Sequence, residues 1–136
     1  MSREQNLAVA NKLLEGIGGG KDPSEIALAF APDVGFEIAG DADVLPWIGP
    51  KRTGRQAVVD FISGTRTLIE QHRFDLTDIM ASDQRAVILG ELSSKVHATG
   101  KVVDTAFALV LTIEGEVITH FRMLEDSFAV SQAARA

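Results

Sequence analysis

The sequence predicts an α+β fold in which three helices, placed toward the N-terminus, gather on one side of a mainly antiparallel sheet. Two patterns along the chain support this prediction. Apolar residues recur at steps of three and four in the first 70 residues, and from His72 onward they alternate with polar residues. Helices followed by a run of strands are typical of α+β architecture. The 136 residues suit one domain, predicted to span residues 1–136.

Capping residues mark the first two predicted helices. Ser2 and Gln5 have the spacing of a capping box, which predicts a helix running to about Gly16. Asp22-Pro23 combines a cap with proline at the first helical position, and it predicts a short second helix. This helix is expected to end at Pro32-Asp33, because proline cannot continue a helix.

The third helix follows a long loop. Residues 40–54 are rich in Gly, Pro and Asp and contain Trp47, the only tryptophan of the chain. Such long loops in compact domains are often functional. Thr53 and Gln56 then repeat the capping-box spacing and predict the start of the helix. The stripe expected to face the sheet consists of Val58, Phe61, Ile62, Thr65 and Ile69.

The strands are predicted from alternation of apolar and polar residues. A first strand is expected around Val34, Phe36 and Ile38. Four further strands, joined by short turns, are expected at about 72–80, 85–97, 102–113 and 117–126.

Two tight turns allow the pairing of the strands to be predicted. A two-residue loop at Thr99-Gly100 would set Lys95 opposite Asp104 as an exposed ion pair, and Leu92 opposite Phe107. A second loop at Glu114-Gly115 would set Leu109 opposite His120 and Phe107 opposite Arg122, so that His120, Arg122 and Asp126 face the helices. A slip of one residue would instead turn these three outward and bring Phe121 and Met123 in.

The same register assigns the two sides of the sheet. The helix-facing side gathers Ile88, Leu92, Val96, Val103, Phe107, Leu109, Leu111 and Ile113. The opposite side carries Val87, Leu89, Glu91, Ser93, Lys95, Ala106, Ala108, Val110, Phe121 and Met123. Because that mixture is too apolar to be wholly solvated, a second copy of the chain is expected to cover part of it.

Composition excludes several classes of function. The net charge of −6 disfavours nucleic acid and anionic membranes as partners, since both would be repelled. The chain has no cysteine, so disulfides, thiolate chemistry and sulfur-ligated zinc are excluded. The histidines lie on separate predicted strands, and no metal site or cofactor is predicted. With no signal peptide or membrane-spanning stretch recognisable, a cytoplasmic location is expected.

Several short segments, taken together in order and spacing, carry a family resemblance. They are Phe30-Ala31-Pro32-Asp33-Val34, Trp47-Ile48-Gly49 leading to Gly54-Arg55-Gln56-Ala57-Val58 and Phe61, Ala98-Thr99-Gly100-Lys101, and Gly115-Glu116-Val117-Ile118 leading to Glu125-Asp126. The chain resembles the SnoaL-like branch of the nuclear transport factor 2-like superfamily, which includes ketosteroid isomerases and polyketide cyclases. The resemblance implies a cone-shaped α+β barrel with a curved sheet, a conical apolar pocket, and a homodimer formed through the sheet.

The catalytic residues of these relatives are not found at the corresponding positions. The chain has no tyrosine. The resemblance places Leu13 or Leu14 at the position in the first helix where ketosteroid isomerases carry a tyrosine. Their general-base aspartate would fall near Ile38. His120-Phe121-Arg122 corresponds to the His-Trp-Asp of polyketide cyclases, so arginine replaces the acid, and arginine does not exchange protons near neutral pH. Leu109 stands where a further histidine is often seen.

Two basic residues of the last strand are the candidate catalytic groups. Arg122 could bind a carboxylate, enolate or phenolate oxygen while His120 acts as the acid/base. The structural alternatives are that Arg122 pairs with an acid such as Asp126 and that His120 is hydrogen-bonded inside the core. The predicted ligand-binding lining consists of Leu14, Phe36, Trp47, Phe61, Leu92, Phe107 and Leu109, although a tryptophan in such a loop more often anchors the loop to the core.

The sequence therefore predicts a protein that binds a small apolar ligand. If it is an enzyme, the expected reaction is an isomerisation, cyclisation, dehydration or hydrolysis without a cofactor, acting on a carbonyl or phenolic small molecule. The alternative is a non-catalytic ligand-binding or dimerisation domain that has lost the acid/base residues of its relatives.

Overall fold

The computed structural model describes residues 2–38 and 52–135, except the side chains of Ser127 and Ser131. Within these ranges the helices are α1 (Arg3–Gly18), α2 (Pro23–Ile26), α3 (Arg55–Leu68) and α4 (Ser127–Ala134). The strands are β1 (Phe30–Ile38), β2 (Arg52–Thr53), β3 (Ile69–Ala81), β4 (Arg85–Val96), β5 (Val102–Glu114) and β6 (Val117–Glu125). The predicted α+β class is confirmed, and α4 was not predicted. None of these helices is long and apolar enough to cross a bilayer.

Two of the three predicted helix caps are confirmed. The Ser2 hydroxyl accepts a hydrogen bond from the Gln5 amide, and the Gln5 side chain accepts one from the Ser2 amide, which completes the capping box of α1. The Asp22 carboxylate accepts from the Ser24 amide at 2.9 Å before α2. The predicted cap of α3 at Thr53 is wrong. Gly54 occupies that position with a φ of 105°, a conformation that favours glycine.

The second helix is shorter than predicted. It ends at Ile26, a single 3-10 turn covers Ala27–Ala29, and β1 begins at Phe30. Pro32 therefore lies inside a strand instead of ending a helix. The register between β1 and β6 is irregular between Phe30 and Gly35, and a proline without an amide hydrogen is tolerated at such a break in the ladder.

The strands form one sheet in the order β2-β1-β6-β5-β4-β3. Neighbouring strands are antiparallel, except that β1 and β6 run parallel. Helices α1 and α3 contact one side of this sheet, which we call the helix-facing side. The opposite side is called the outer side. The buried Asn6 side chain donates to the Ser82 carbonyl at 2.9 Å and so ties α1 to the turn after β3.

Helix α4 adds a second, smaller core at the other end of the sheet. Its Val130 and Ala133 are buried against Val96 of β4 and Val103 of β5. The Thr99 hydroxyl, in the β4–β5 connection, donates to the Ala133 carbonyl at 2.5 Å. The last residues of the chain that the structure describes are therefore packed on the same side of the sheet as α1 and α3.

The predicted sides of β4 and β5 are confirmed, but their exact pairing is wrong. Lys95 lies opposite Val102 and Asp104 lies opposite Ser93, so the predicted Lys95–Asp104 pair does not form. Phe107 lies opposite Gly90 instead of Leu92. Because this offset is two residues, every side chain keeps its predicted side of the sheet.

The pairing of β5 with β6 differs in a way that reverses the predicted sides. The turn residues are Gly115 and Glu116, with φ values of 57° and 65°, and Glu114 pairs with Val117. This turn shifts the pairing of β5 and β6 by an even number of residues relative to the predicted turn. The turn alone would therefore have kept each side chain of β6 on its predicted side of the sheet. The reversal comes from a β-bulge two residues later. Ile113 pairs with Ile118, but Thr112 pairs with His120, so β6 contains one extra residue.

Beyond the bulge, the predicted orientation of β6 is wrong. Phe121 lies opposite Leu111 and Met123 opposite Leu109, so both face the helices. His120 and Arg122 face the outer side. The extra residue is Thr119, whose hydroxyl donates to the Thr112 carbonyl at 3.3 Å.

Candidate functional site

The two predicted catalytic residues do not lie among the apolar residues. The His120 ring covers Gly35 on the outer side, where a side chain on residue 35 would come within 2.5 Å of it. The His120 Nε2 lies 2.6 Å from the Glu37 carboxylate. Arg122 is exposed on the same side, next to Val110 in the ladder. The predicted clamp of Arg122 and His120 inside a helix-facing pocket is therefore wrong, because the bulge in β6 points both side chains away from it.

The predicted apolar lining lies mostly in the core. Phe36, Leu92, Phe107 and Leu109 are buried, and Leu14 and Phe61 are half-buried and pack against the same cluster. Trp47 lies outside the described residues. The structure thus brings the described members of this set together, and it leaves their role in ligand binding as a prediction.

Aromatic rings fill the region between α3 and strands β1 and β6. Phe36 and Phe121 stack with their centroids 4.6 Å apart and their planes 8° apart. Phe61 lies 5.6 Å from Phe36 and 6.1 Å from Phe121, and Phe30 lies 6.2 Å from Phe121. We call these four residues the phenylalanine cluster. Offset and tilted contacts of this kind stabilise a core beyond the burial of apolar area.

Glu125 takes the place that sequence reasoning gave to Arg122. It lies at the end of β6, opposite Phe107 and two residues beyond Met123, and the alternation of the strand directs its side chain to the helix-facing side. The residue is half-buried. Among the described residues, no hydrogen bond to its carboxylate is found within 3.5 Å.

The surroundings of Glu125 disfavour its charged form. Burial, and to a smaller extent the neighbouring negative charge of Asp126, raise the pKa of the Glu125 carboxyl from its ordinary 4.5 to about 7. A carboxyl with such a pKa exists in both protonation states near neutral pH. It can therefore donate or accept a proton there, which Arg122 cannot.

An apolar surface beside Glu125 remains open to solvent. Phe74 and Leu76 of β3 pair with Leu92 and Gly90, so they belong to the helix-facing side, yet they are 43% and 47% exposed. The Phe74 ring stacks on the Phe107 ring at 5.0 Å. Glu125, Phe107 and Phe74 thus form a row from β6 across the sheet to β3, which we call the Glu125 row.

One signal for Glu125 was present in the sequence. Val117-Ile118 and Thr119-His120 place two apolar and then two polar residues together, which breaks the alternation of β6. Such a break is typical of a bulge. Counting the alternation backward from Phe121, Met123 and Glu125, instead of forward from the turn, would have directed Glu125 toward the helices.

The described part of the chain has a groove away from Glu125 and a shallow hollow whose lining includes Glu125. A groove of about 630 Å³ lies between α1 and α2, and a shallow hollow of about 530 Å³ lies beside β5 and β6. In the ranges 2–38 and 52–135, no three histidine, aspartate or glutamate side chains are close enough to hold a metal ion. His72 contacts Glu70 at 3.0 Å, and His120 contacts Glu37.

The raised pKa of Glu125 predicts a pH dependence of stability. The folded protein binds this proton more tightly than the unfolded chain, whose carboxyl has the ordinary pKa of 4.5, so the free energy of unfolding should fall as the pH rises from about 4.5 to about 7. If Glu125 were fully shielded from solvent, this decrease in the free energy of unfolding would be about 3 kcal/mol. Its partial exposure reduces the expected decrease to about 1–2 kcal/mol. Urea denaturation of the wild type and Glu125→Gln at pH 5, 6, 7 and 8 measures the effect. Equal pH slopes for both proteins would contradict it.

Comparison with known proteins agrees with the fold. The SnoaL-like domain family matches residues 11–121. A nuclear transport factor 2-like protein from Burkholderia xenovorans LB400 superposes with a TM-score of 0.87 at 19% identity, covering 99% of each chain. No curated protein matches the sequence.

Two further solved structures have names that refer to an activity. A proposed SnoaL-like polyketide cyclase from Jannaschia sp. CCS1 gives a TM-score of 0.78 at 14% identity, covering 98% of this chain and 94% of the other. A proposed isomerase from Bacillus subtilis gives 0.76 at 18% identity, covering 96% and 92%. At these identities the structures support the fold alone. The family match over most of the chain shows that the protein belongs to the SnoaL-like domain family, and the solved structures show that it has the fold of nuclear transport factor 2-like proteins.

Proposed function

We propose that this chain is a small-molecule-binding protein of the cofactor-independent isomerase type, in which Glu125 moves a proton on an apolar ligand with a carbonyl or phenolic oxygen. The single observation that carries the proposal is the half-buried Glu125 carboxyl, set beside Phe107 without a hydrogen-bonding partner among the described residues. The proposal includes a conical pocket, one domain over residues 1–136 and no cofactor. The reaction class is proposed by analogy with two structures of the same fold that are named as an isomerase and a polyketide cyclase. The cytoplasmic location stays a prediction.

The chemistry requires one carboxyl that changes its protonation state. The Glu125 carboxylate takes a proton from the carbon next to the carbonyl of the ligand, and the electron pair of that C–H bond moves into an enolate. The protonated carboxyl then returns the proton to the enolate, at the same carbon or at a conjugated one. A pKa of about 7 suits both steps at neutral pH, because the acid and the base are then both populated.

The Glu125 row also indicates the kind of ligand. The stacked rings of Phe74 and Phe107 offer a flat apolar surface, and Phe74 is exposed enough to receive a ligand. Next to Glu125, the described helix-facing positions of β5 and β6 are Thr105, Phe107 and Met123, and none of them is charged. A neutral ring system is therefore favoured over an anion, which would meet the carboxylate without a compensating cation.

Proton exchange on a flat ketone tests the proposal directly. We expect the protein to accelerate exchange of the hydrogens next to the carbonyl of 2-tetralone in D₂O at pH 7, measured by NMR. Glu125→Gln should abolish the acceleration, because the amide cannot transfer the proton. Glu15→Gln is the matched control, since Glu15 is an exposed acid of α1, and it should leave the rate unchanged.

The filled phenylalanine cluster supports the second candidate, a non-catalytic binding or dimerisation domain. Phe36 and Phe121 occupy space that an open pocket would need. The same experiment separates the two functions. Binding of 2-tetralone without exchange favours a binding domain, and exchange that survives in Glu125→Gln removes Glu125 from the mechanism. If neither binding nor exchange occurs for this ketone and for 2-naphthol, the ligand class proposed here is wrong.

We further propose that the outer side of the sheet pairs with a second copy of the chain. Its centre is apolar, with Leu89, Ala108 and Val110 half-buried and Leu124 exposed. Charges of both signs lie at each end of this side: His120 and Arg122 beside Glu37 toward one, and Arg73 and Lys95 beside Asp75, Glu91 and Asp104 toward the other. A two-fold axis through this apolar centre would bury the centres of the two copies against each other.

Substitutions on the outer side test the dimer. We expect native mass spectrometry to give twice the chain mass of 14.6 kDa for the wild type, and mainly the single mass for Ala108→Arg, because the substitution buries an unpaired charge at the centre. Lys12→Glu, on the exposed face of α1, is the control. A wild type that remains monomeric at about 100 µM would contradict the proposal.

A further inference from the structure

The corner between β6 and α4 contains a single residue, Asp126. Strand β6 ends at Glu125, and α4 begins at Ser127. The chain must therefore change from extended to helical conformation directly after the proposed proton-transfer residue. Any freedom at Asp126 would allow the Glu125 side chain to rotate away from Phe107, because the direction of a side chain at a strand end depends on the backbone beside it.

Three backbone or side-chain atoms of Asp126 are held by hydrogen bonds. Its amide donates to the Thr105 hydroxyl of β5 at 2.9 Å. Its carboxylate accepts from the Ala129 amide at 3.0 Å, which makes it the N-cap of α4. Its carbonyl accepts from the Val130 amide at 3.1 Å. The Thr105 hydroxyl donates in turn to the Ala106 carbonyl at 2.8 Å, so its oxygen is fixed as an acceptor for Asp126.

Both elements that hold Asp126 are themselves well anchored. Thr105 is buried on the helix-facing side, opposite Leu92. Helix α4 is fixed to the sheet by Val130 and Ala133 and, at its end, by the Thr99 hydroxyl. The corner is thus a cross-link between β5, β6 and α4 that passes through one residue.

We propose that Asp126 is a positioning residue that holds the Glu125 carboxyl on the helix-facing side of the sheet, next to Phe107. The inference rests on the proposed function for its catalytic meaning, but the geometry it describes can be tested without a substrate. Thr105 is the second residue of this arrangement, because its hydroxyl accepts the hydrogen bond from the Asp126 amide.

The charge of Asp126 has a second effect on Glu125. Helix α4 carries no ionisable side chain between Ser127 and Ala134, and the described part of β1 contributes Glu37, which faces the outer side with Arg122 and His120. On β5 the nearest charged residue is Asp104, also on the outer side. The adjacent Asp126 carboxylate therefore opposes ionisation of Glu125, in addition to burial. Asp126 would hold the group in place and help to keep it protonated.

Substituting Asp126 by asparagine separates the two effects. Asparagine caps a helix as well as aspartate does, but it carries no charge. We expect the pKa of Glu125, measured by carboxyl ¹³C NMR titration and assigned with Glu125→Gln, to fall from about 7 part of the way toward 4.5 in Asp126→Asn. Amide hydrogen exchange across residues 129–134 should remain as slow as in the wild type.

Removing the hydrogen bonds tests the positioning role itself. Asp126→Ala loses the cap, and Thr105→Val loses the acceptor for the Asp126 amide with little change of shape. Both should lower the pKa of Glu125 further toward 4.5, as the carboxyl reaches solvent, and Asp126→Ala should speed amide exchange in α4. If the pKa of Glu125 stays near 7 in Thr105→Val, or falls no further in Asp126→Ala than in Asp126→Asn, the inference is wrong. Absence of 2-tetralone exchange in the wild type would instead remove the proposed function and leave this result standing.

Discussion

Replacing Gly90 by alanine is expected to lower the free energy of unfolding by about 3 kcal/mol or more. A Cβ atom on residue 90 would come within 2.4 Å of the Asp75 carbonyl oxygen and within 2.8 Å of two ring carbons of Phe107. The carbonyl belongs to the β3–β4 ladder and cannot withdraw without breaking it. The Phe107 ring is buried and stacked on Phe74, so it has no free space either. Urea denaturation at pH 7 measures the loss.

The matched control is another alanine in place of a glycine. At Gly18 an added Cβ meets no heavy atom within 4 Å, and the residue lies in α1, so Gly18→Ala should leave stability unchanged or raise it by about 0.5 kcal/mol. Gly90→Ala should also displace the Phe107 ring from the Glu125 row and weaken binding of 2-tetralone. A Gly90→Ala protein as stable as Gly18→Ala would mean that Phe107 does not lie over residue 90.

The elements of the fold could be predicted because each depends on local patterns. The capping box at Ser2 and the cap at Asp22 act within four residues, and the structure confirms both. The strands β4 and β5 are long and alternate regularly, so an error of two residues in their pairing did not alter which side chains are buried. Helix α4 was missed, because Ser127–Ala134 is short and gains its partners, Val96 and Val103, only through the sheet.

The candidate site was predicted wrongly because it depends on one residue of register. The single extra residue at Thr119 changes the group presented to the helix-facing side from Arg122 to Glu125. The predicted cationic site for an anion is thereby replaced by a carboxyl that can transfer a proton. The turn and the charges in the sequence do not determine such a bulge. The bulge allows both Ile118, which precedes it, and Phe121, which follows it, to be buried.

Replacing Phe121 by alanine is expected to lower the free energy of unfolding by about 3–5 kcal/mol. The side chain is 3% exposed, and its ring contacts the other three members of the phenylalanine cluster. Its removal leaves a cavity between β1, β6 and α3 that the stacked Phe36 ring can fill only in part. The experiment is a comparison of urea denaturation midpoints and slopes at pH 7.

Phe128→Ala provides the control, because that phenylalanine is 73% exposed on α4 and its loss should change stability by less than about 0.5 kcal/mol. The comparison also measures the register of β6. If His120 and Arg122 faced the helices, Phe121 would lie on the outer side and its truncation would cost little more than that of Phe128. Equal losses would therefore place Glu125 on the outer side as well, and the proton-transfer proposal would fail with the register. A large difference between the two variants keeps the carboxyl beside Phe107, where its raised pKa has a physical cause.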